Sequence, residues 1–94
     1  MRLQEARLRA DLSQKGLGLL AGLDPSVASP RINQYERGVH VPTYTTLSLL
    51  GNVLKVPVAY FYCQDDALAT LLLDYHEASD SARKRISRAF RSEK

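Results

Sequence analysis

Ninety-four residues support one domain around one compact core plus a short appendage, and they exclude a second folded domain. A formal net charge of +3 and a pI near 9.2 make nucleic acid or another anionic surface a plausible partner. No apolar run approaches the roughly 20 residues needed to span a bilayer, and Met1-Arg2-Leu3-Gln4-Glu5 lacks the apolar stretch of a signal peptide. No membrane partner is therefore expected, and the protein is placed in the cytoplasm. The single cysteine, Cys63, has no partner for an intrachain disulfide and reads as a small apolar core residue. His40 and His76 are scattered without metal-ligand spacing, so neither metal nor cofactor is expected.

Apolar residues recur at helical spacing almost throughout, and no stretch alternates as a half-buried strand does, which predicts an all-α fold. The first helix runs from about Arg2 to Ala10, with Leu3, Ala6, Leu8 and Ala10 among its apolar positions. Ser13 caps a second helix from Gln14 to Ala21, whose Leu17, Leu19, Leu20 and Ala21 are placed to face a core, and Gly22 stops it. The segment Asp24-Pro25-Ser26-Val27-Ala28-Ser29-Pro30 holds two cap-plus-proline start signals ahead of a third helix that ends at Gly38. Either that helix starts at Pro25 and carries Pro30 inside, at about 3 kcal/mol, or it starts at Pro30 with Ser29 as its cap. The second needs no penalty and is preferred. Thr43 caps a fourth helix to about Lys55, with Leu47, Leu50, Val53 and Leu54 as its apolar stripe, and Pro57 opens a short apolar turn from Val58 to Tyr62. Beyond the acidic Asp65-Asp66, two more helices are predicted. One spans about Ala67 to Ala78. The other is capped near Ser79 or Asp80 and sets Arg83, Lys84, Arg85, Arg88 and Arg91 against Ala82, Ile86, Ala89 and Phe90.

In order and nearly in spacing, Leu12-Ser13-Gln14, Ala21-Gly22-Leu23, Ile32-Asn33-Gln34-Tyr35-Glu36-Arg37-Gly38 and Val41-Pro42-Thr43 resemble the lambda-repressor-like (Cro-like, XRE-type) helix-turn-helix family of bacterial and phage regulators. The likeness continues through Leu47, Leu50, Leu54, Val56 and Pro57 to Phe61, covering about two-thirds of the chain. It implies a five-helix DNA-binding domain over residues 1–63, and residues 64–94, outside the resemblance, are read as a helical extension whose surplus of leucine points to dimerisation. It departs from the family between Gly22 and Ile32, where the chain is roughly one helical turn longer. A helix-turn-helix needs a recognition helix whose outer face is small and polar enough to enter the major groove. With Ile32 and Tyr35 facing the core, the 100° step per residue sets Pro30, Asn33 and Gln34 on the opposite side and Ser29 at its edge. These four are the candidates for base readout, since amides pair with adenine N6 and N7 and a hydroxyl serves several base edges. The resemblance also implies a phosphate contact at Gln14, backbone contacts around the loop carrying Arg37, His40 and Thr43, and an ion pair between Arg7 and Glu36 that fixes the recognition helix. Ser26 and Arg31 join the phosphate candidates, and Tyr44 either packs in the core or touches a phosphate.

The expected function is operator binding by a homodimer that represses a nearby promoter, with no catalysis. An antitoxin would use the same domain and add a toxin-binding surface in residues 64–94, a partner without support in the sequence; an adaptor would have lost DNA binding, against which the polar Ser29, Asn33 and Gln34 argue. Leu71, Leu72 and Leu73 are consecutive and cannot share one narrow stripe. Leu68, Leu71, Leu72, Tyr75, Ile86 and Phe90 are therefore the candidate dimer interface. The basic side of the last helix is read as solvated rather than as a second DNA contact.

Overall fold

The structure is a computed structural model that describes residues 1–92, and among them it forms seven helices and no strand. In chain order they are α1 Leu3–Arg9, α2 Gln14–Leu20, α3 Ala28–Glu36, α4 Tyr44–Leu54, α5 Val58–Tyr62, α6 Asp66–Glu77 and α7 Asp80–Ser92. Four of the seven, α2, α4, α6 and α7, start on a side-chain cap. The Ser13 hydroxyl accepts from the Gly16 N–H at 2.9 Å, Thr43 from Thr46 at 3.2 Å, Asp65 from Leu68 at 2.8 Å and Ser79 from Ala82 at 3.1 Å. Each satisfies one donor that a helix start leaves free.

The ends share one closure. After each of α1 to α4 one residue turns left-handed: Asp11 (φ 57°), Gly22 (90°), Gly38 (73°) and Lys55 (59°). The next N–H then reaches back five residues, from Leu12 to Arg7, Leu23 to Gly18, Val39 to Gln34 and Val56 to Gly51, at 2.9–3.2 Å. This is the Schellman arrangement, and a hydrophobic residue follows the reversal every time.

Leu3, Leu17, Ile32, Leu47, Leu50 and Phe61 are fully buried and bring α1 to α5 around one core. The α2–α3 pair packs through small residues. A Cβ on Gly18 would lie 2.7 Å from the Ala28 Cβ and 2.9 Å from its carbonyl oxygen, so the helices meet at backbone distance. That contact corrects two expectations. Leu19 and Leu20 do not face the core but lie exposed, because α2 turns Leu17 and Gly18 inward instead. Helix α3 also begins two residues before Pro30, and Ser29 is its second residue rather than its cap. Asp24 explains why. Its carboxylate accepts from both the N–H (2.9 Å) and the hydroxyl (2.6 Å) of Ser26, which holds its pKa below the usual carboxylate value and closes the turn ahead of the helix. The Val27 carbonyl takes the first helical bond, from Arg31 at 2.9 Å. Pro30, third in the helix, falls where no N–H is needed, so its ring costs nothing.

Helix α6 lies against this body. Ala69 is buried, Leu73 packs half-buried on the core, and ion pairs tie both ends to α1: Arg2 to Asp66 at 2.8 Å and Arg9 to Glu77 at 2.7 Å. Arg2 also donates to Glu5 and to the Cys63 and Gln64 carbonyls, and Asp66 first, then Glu5, pushes its pKa above the ordinary value. Cys63 is half-buried beside this anchor, its thiol donating to the Asp65 carbonyl. Helix α7 buries none of its residues, and the molecule is drawn out to 52 × 23 × 22 Å.

Candidate nucleic-acid interface

Helix α3 is braced from within the fold. Arg7 Nε donates to Glu36 Oε2 at 2.6 Å and Nη2 to Oε1 at 3.1 Å, with side chains 10 % and 3 % exposed. The remaining guanidinium nitrogen donates to the Leu12 carbonyl at 2.9 Å, so the pair is bidentate and its fork is fully used. It joins the middle of α1 to the last residue of α3. Gln14, first residue of α2, adds a third strand to the knot. Its amide nitrogen donates to Glu36 Oε1 and to Asn33 Oδ1, both at 3.2 Å. A carboxylate only accepts, which fixes that amide with its NH2 turned inward.

The outer face of α3 is small and polar. Pro30 and Gln34 are exposed, and Ser29 and Asn33 are half-buried at its margins. Asn33 gives its carbonyl oxygen to Gln14, leaving its NH2 to donate to an acceptor edge such as a purine N7. Gln34 has both ends of its amide available for a bidentate contact. Sequence alone does not predict the Gln14–Asn33 bond. The signal for it is the spacing of Asn33 and Glu36, three apart on one edge of α3 and so reachable together by one side chain from α2.

The phosphate candidates fall into two groups. Arg37 is exposed at the end of α3, and Arg31 is half-buried on its flank, with Nη1 3.4 Å from His40 Nε2 and a buried Nε that has no protein partner. His40 is exposed in the α3–α4 loop and stacks on Tyr35, ring centroids 5.9 Å apart. These three carry cationic or hydrogen-bonding heads to the rim of the α3 face. In the second group the polar atoms are already engaged. The Ser26 hydroxyl is bound to Asp24, the Thr43 hydroxyl caps α4 and also donates to Thr46 at 3.1 Å, and both Gln14 amide hydrogens point inward. For Gln14 this leaves the amide oxygen and the N–H groups at the start of α2. Tyr44 is 71 % exposed, which removes the core alternative.

Away from this face, Leu68, Leu71, Tyr75 and Phe90 are exposed and Leu72 and Ile86 half-buried, on α6 and α7. No group of three or more His, Cys, Asp or Glu suited to a metal occurs among the described residues, and no described helix is long and apolar enough to cross a membrane.

A support helix seated through Leu17 and Gly18, a turn through Gly22, and a braced helix with a small polar outer face define a helix-turn-helix, and the chain belongs to the lambda-repressor-like helix-turn-helix family of DNA-binding regulators. The family's profile, described as helix-turn-helix, matches residues 3–61. The chain is also similar to one described as the crystal structure of transcriptional regulator BswR, with 45% sequence identity and a TM-score of 0.91, over 97% of this chain and 90% of that one. No curated protein matches it.

Proposed function

We propose that this DNA-binding regulator acts in the cytoplasm as a homodimer, inserts α3 into the major groove of each half of an operator, and represses the promoter it covers. The observation that carries the reading is the outer face of α3, with Gln34 and Asn33 presented on a helix pinned by a buried bidentate pair. A base-reading helix must hold its side chains in one orientation, and a brace that touches no base supplies that. Arg37, Arg31 and His40 at the rim supply the sequence-independent contacts that set register on the backbone. The extension of residues 64–94 forms the dimerisation element, and two-fold symmetry sets the two α3 helices about 34 Å apart, one turn of DNA.

Selection of bound duplexes from a random pool tests this directly. The expected result is an inverted repeat whose half-sites are about 10 base pairs apart centre to centre. Enrichment of a single unrepeated site would overturn the dimeric reading, and no enrichment over the starting pool would overturn sequence-specific binding.

A further inference from the structure

Each of the last two helices carries an apolar seam that its own chain covers only in part, with Leu72, Ala82 and Ile86 half-buried and Leu68, Leu71, Tyr75, Ala89 and Phe90 exposed. On α6, Ala69 and Leu73 face the body, while Leu68, Leu71, Leu72 and Tyr75 repeat at i, i+3, i+4 and i+7 on the side turned away. On α7, Ala82, Ile86, Ala89 and Phe90 make the second seam. The turn between the helices is fixed by Arg83, which donates to the Tyr75 and His76 carbonyls at 2.9 and 2.7 Å and lies 5.2 Å from the Tyr75 ring centroid. From that turn α7 does not fold back to cover α6. Were it to do so, Phe90 would be brought toward Leu68, yet Phe90 is 58% and Leu68 48% exposed.

Charge divides along the same line. Residues 1–63 hold seven Lys or Arg against four Asp or Glu. Residues 64–79 hold Asp65, Asp66, Asp74 and Glu77 with no Lys or Arg, and α7 holds five Lys or Arg against Asp80 alone. Asp66 and Glu77 are paired with Arg2 and Arg9, but Asp74, one turn from Leu71 at the edge of the α6 seam, forms no ion pair among the described residues. Pairing α7 with a second α7 would bring together two helices that each hold five Lys or Arg against one Asp, and would leave α6 bare. Pairing α6 with a second α6 would leave the α7 seam in water.

We infer that the two copies exchange their last helices, each α7 lying along the outward face of the partner subunit's α6. This rests on the homodimer proposed above and says which surfaces build it. The exchange covers both seams at once, brings the cationic α7 to the acidic segment with Arg85 at the edge of the contact, and is two-fold symmetric because each copy gives and receives one helix.

Chemical cross-linking of the full chain in solution tests it. In a Cys63→Ser background, single cysteines are placed on the α6 seam (Leu68→Cys, Leu71→Cys, Tyr75→Cys) or the α7 seam (Ala82→Cys, Ile86→Cys, Phe90→Cys), and pairs are mixed, allowed to exchange subunits and treated with a short bismaleimide. Covalent dimer is expected from mixtures of one α6 variant with one α7 variant, with only traces from any variant alone. Dimer formed efficiently by an α6 variant alone, or by an α7 variant alone, overturns the exchange, as does a chain carrying both Leu68→Cys and Phe90→Cys that links within itself. Sedimentation equilibrium of the unmodified chain separates the two levels. A monomer at tens of micromolar sinks the homodimer itself, whereas a dimer that links in no mixed pair sinks only the exchange.

Discussion

The carboxylate of Glu36 receives three hydrogen bonds, two from Arg7 and one from Gln14, in a site almost closed to water. Truncating Glu36→Ala leaves the guanidinium buried without its counter-charge, at an expected loss of about 3 to 5 kcal/mol in denaturant unfolding. A loss under 1 kcal/mol would mean that water reaches Arg7 freely. The α3 surface divides differently. Gln34→Ala is expected to weaken binding to the selected operator by about 1 to 3 kcal/mol while sparing random DNA. Arg37→Ala is expected to weaken both and to flatten the dependence of affinity on salt. Equal losses on both DNAs for both variants would contradict the division into readers and positioners.

At the scale of elements, the geometry turns on the contact of α2 with α3. Gly18→Ala would force a methyl against the Ala28 Cβ and carbonyl, and the expected cost is about 1 to 3 kcal/mol. Ala28→Gly in the same chain should recover only part of it, because the Ala28 Cα and oxygen remain 2.9 Å from the new carbon. Thermal melts of the two single variants and the double variant give the coupling. This contact also shows what a sequence does and does not disclose. Ser13, Thr43, Gly22 and Gly38 announce their helix ends because a cap or a reversal depends on local chemistry. The inward turn of Gly18 depends on a helix ten residues away, so the conspicuous Leu19 and Leu20 attracted the core assignment instead. Likewise Ser29-Pro30 has the local form of a start signal, but Asp24 and the seat for Ala28 settle the start two residues earlier. The polar edge of α3 was readable from Ile32 and Tyr35, whereas the Gln14–Asn33 bond needed the α2–α3 crossing.

For the whole molecule, the ion pairs of Arg2 and Arg9, at the two ends of α1, with the two ends of α6 join the packing of Ala69 and Leu73 in seating the extension relative to α3. In a dimer built through that extension, this seating fixes the distance between half-sites. Arg2→Ala combined with Arg9→Ala is expected to leave affinity for a single half-site unchanged while broadening the range of half-site spacings recovered in a selection. An unchanged spacing profile would show that Ala69 and Leu73 alone hold the register. The exposed leucines of α6 were legible as a surplus in the sequence, but the outward course of α7 was not, because its apolar residues fit a return to its own core equally well.

Two of the four helix closures use glycine for the left-handed residue, and two use Asp11 and Lys55. A side chain in that conformation carries a steric cost of about 1 to 2 kcal/mol, which glycine avoids while losing part of the gain to its freer unfolded chain. A modest reserve of stability therefore remains at two positions outside the α3 face. Asp11→Gly with Lys55→Gly would make a sturdier parent, one in which damaging changes at Glu36 or Gly18 can be studied in a protein that still folds.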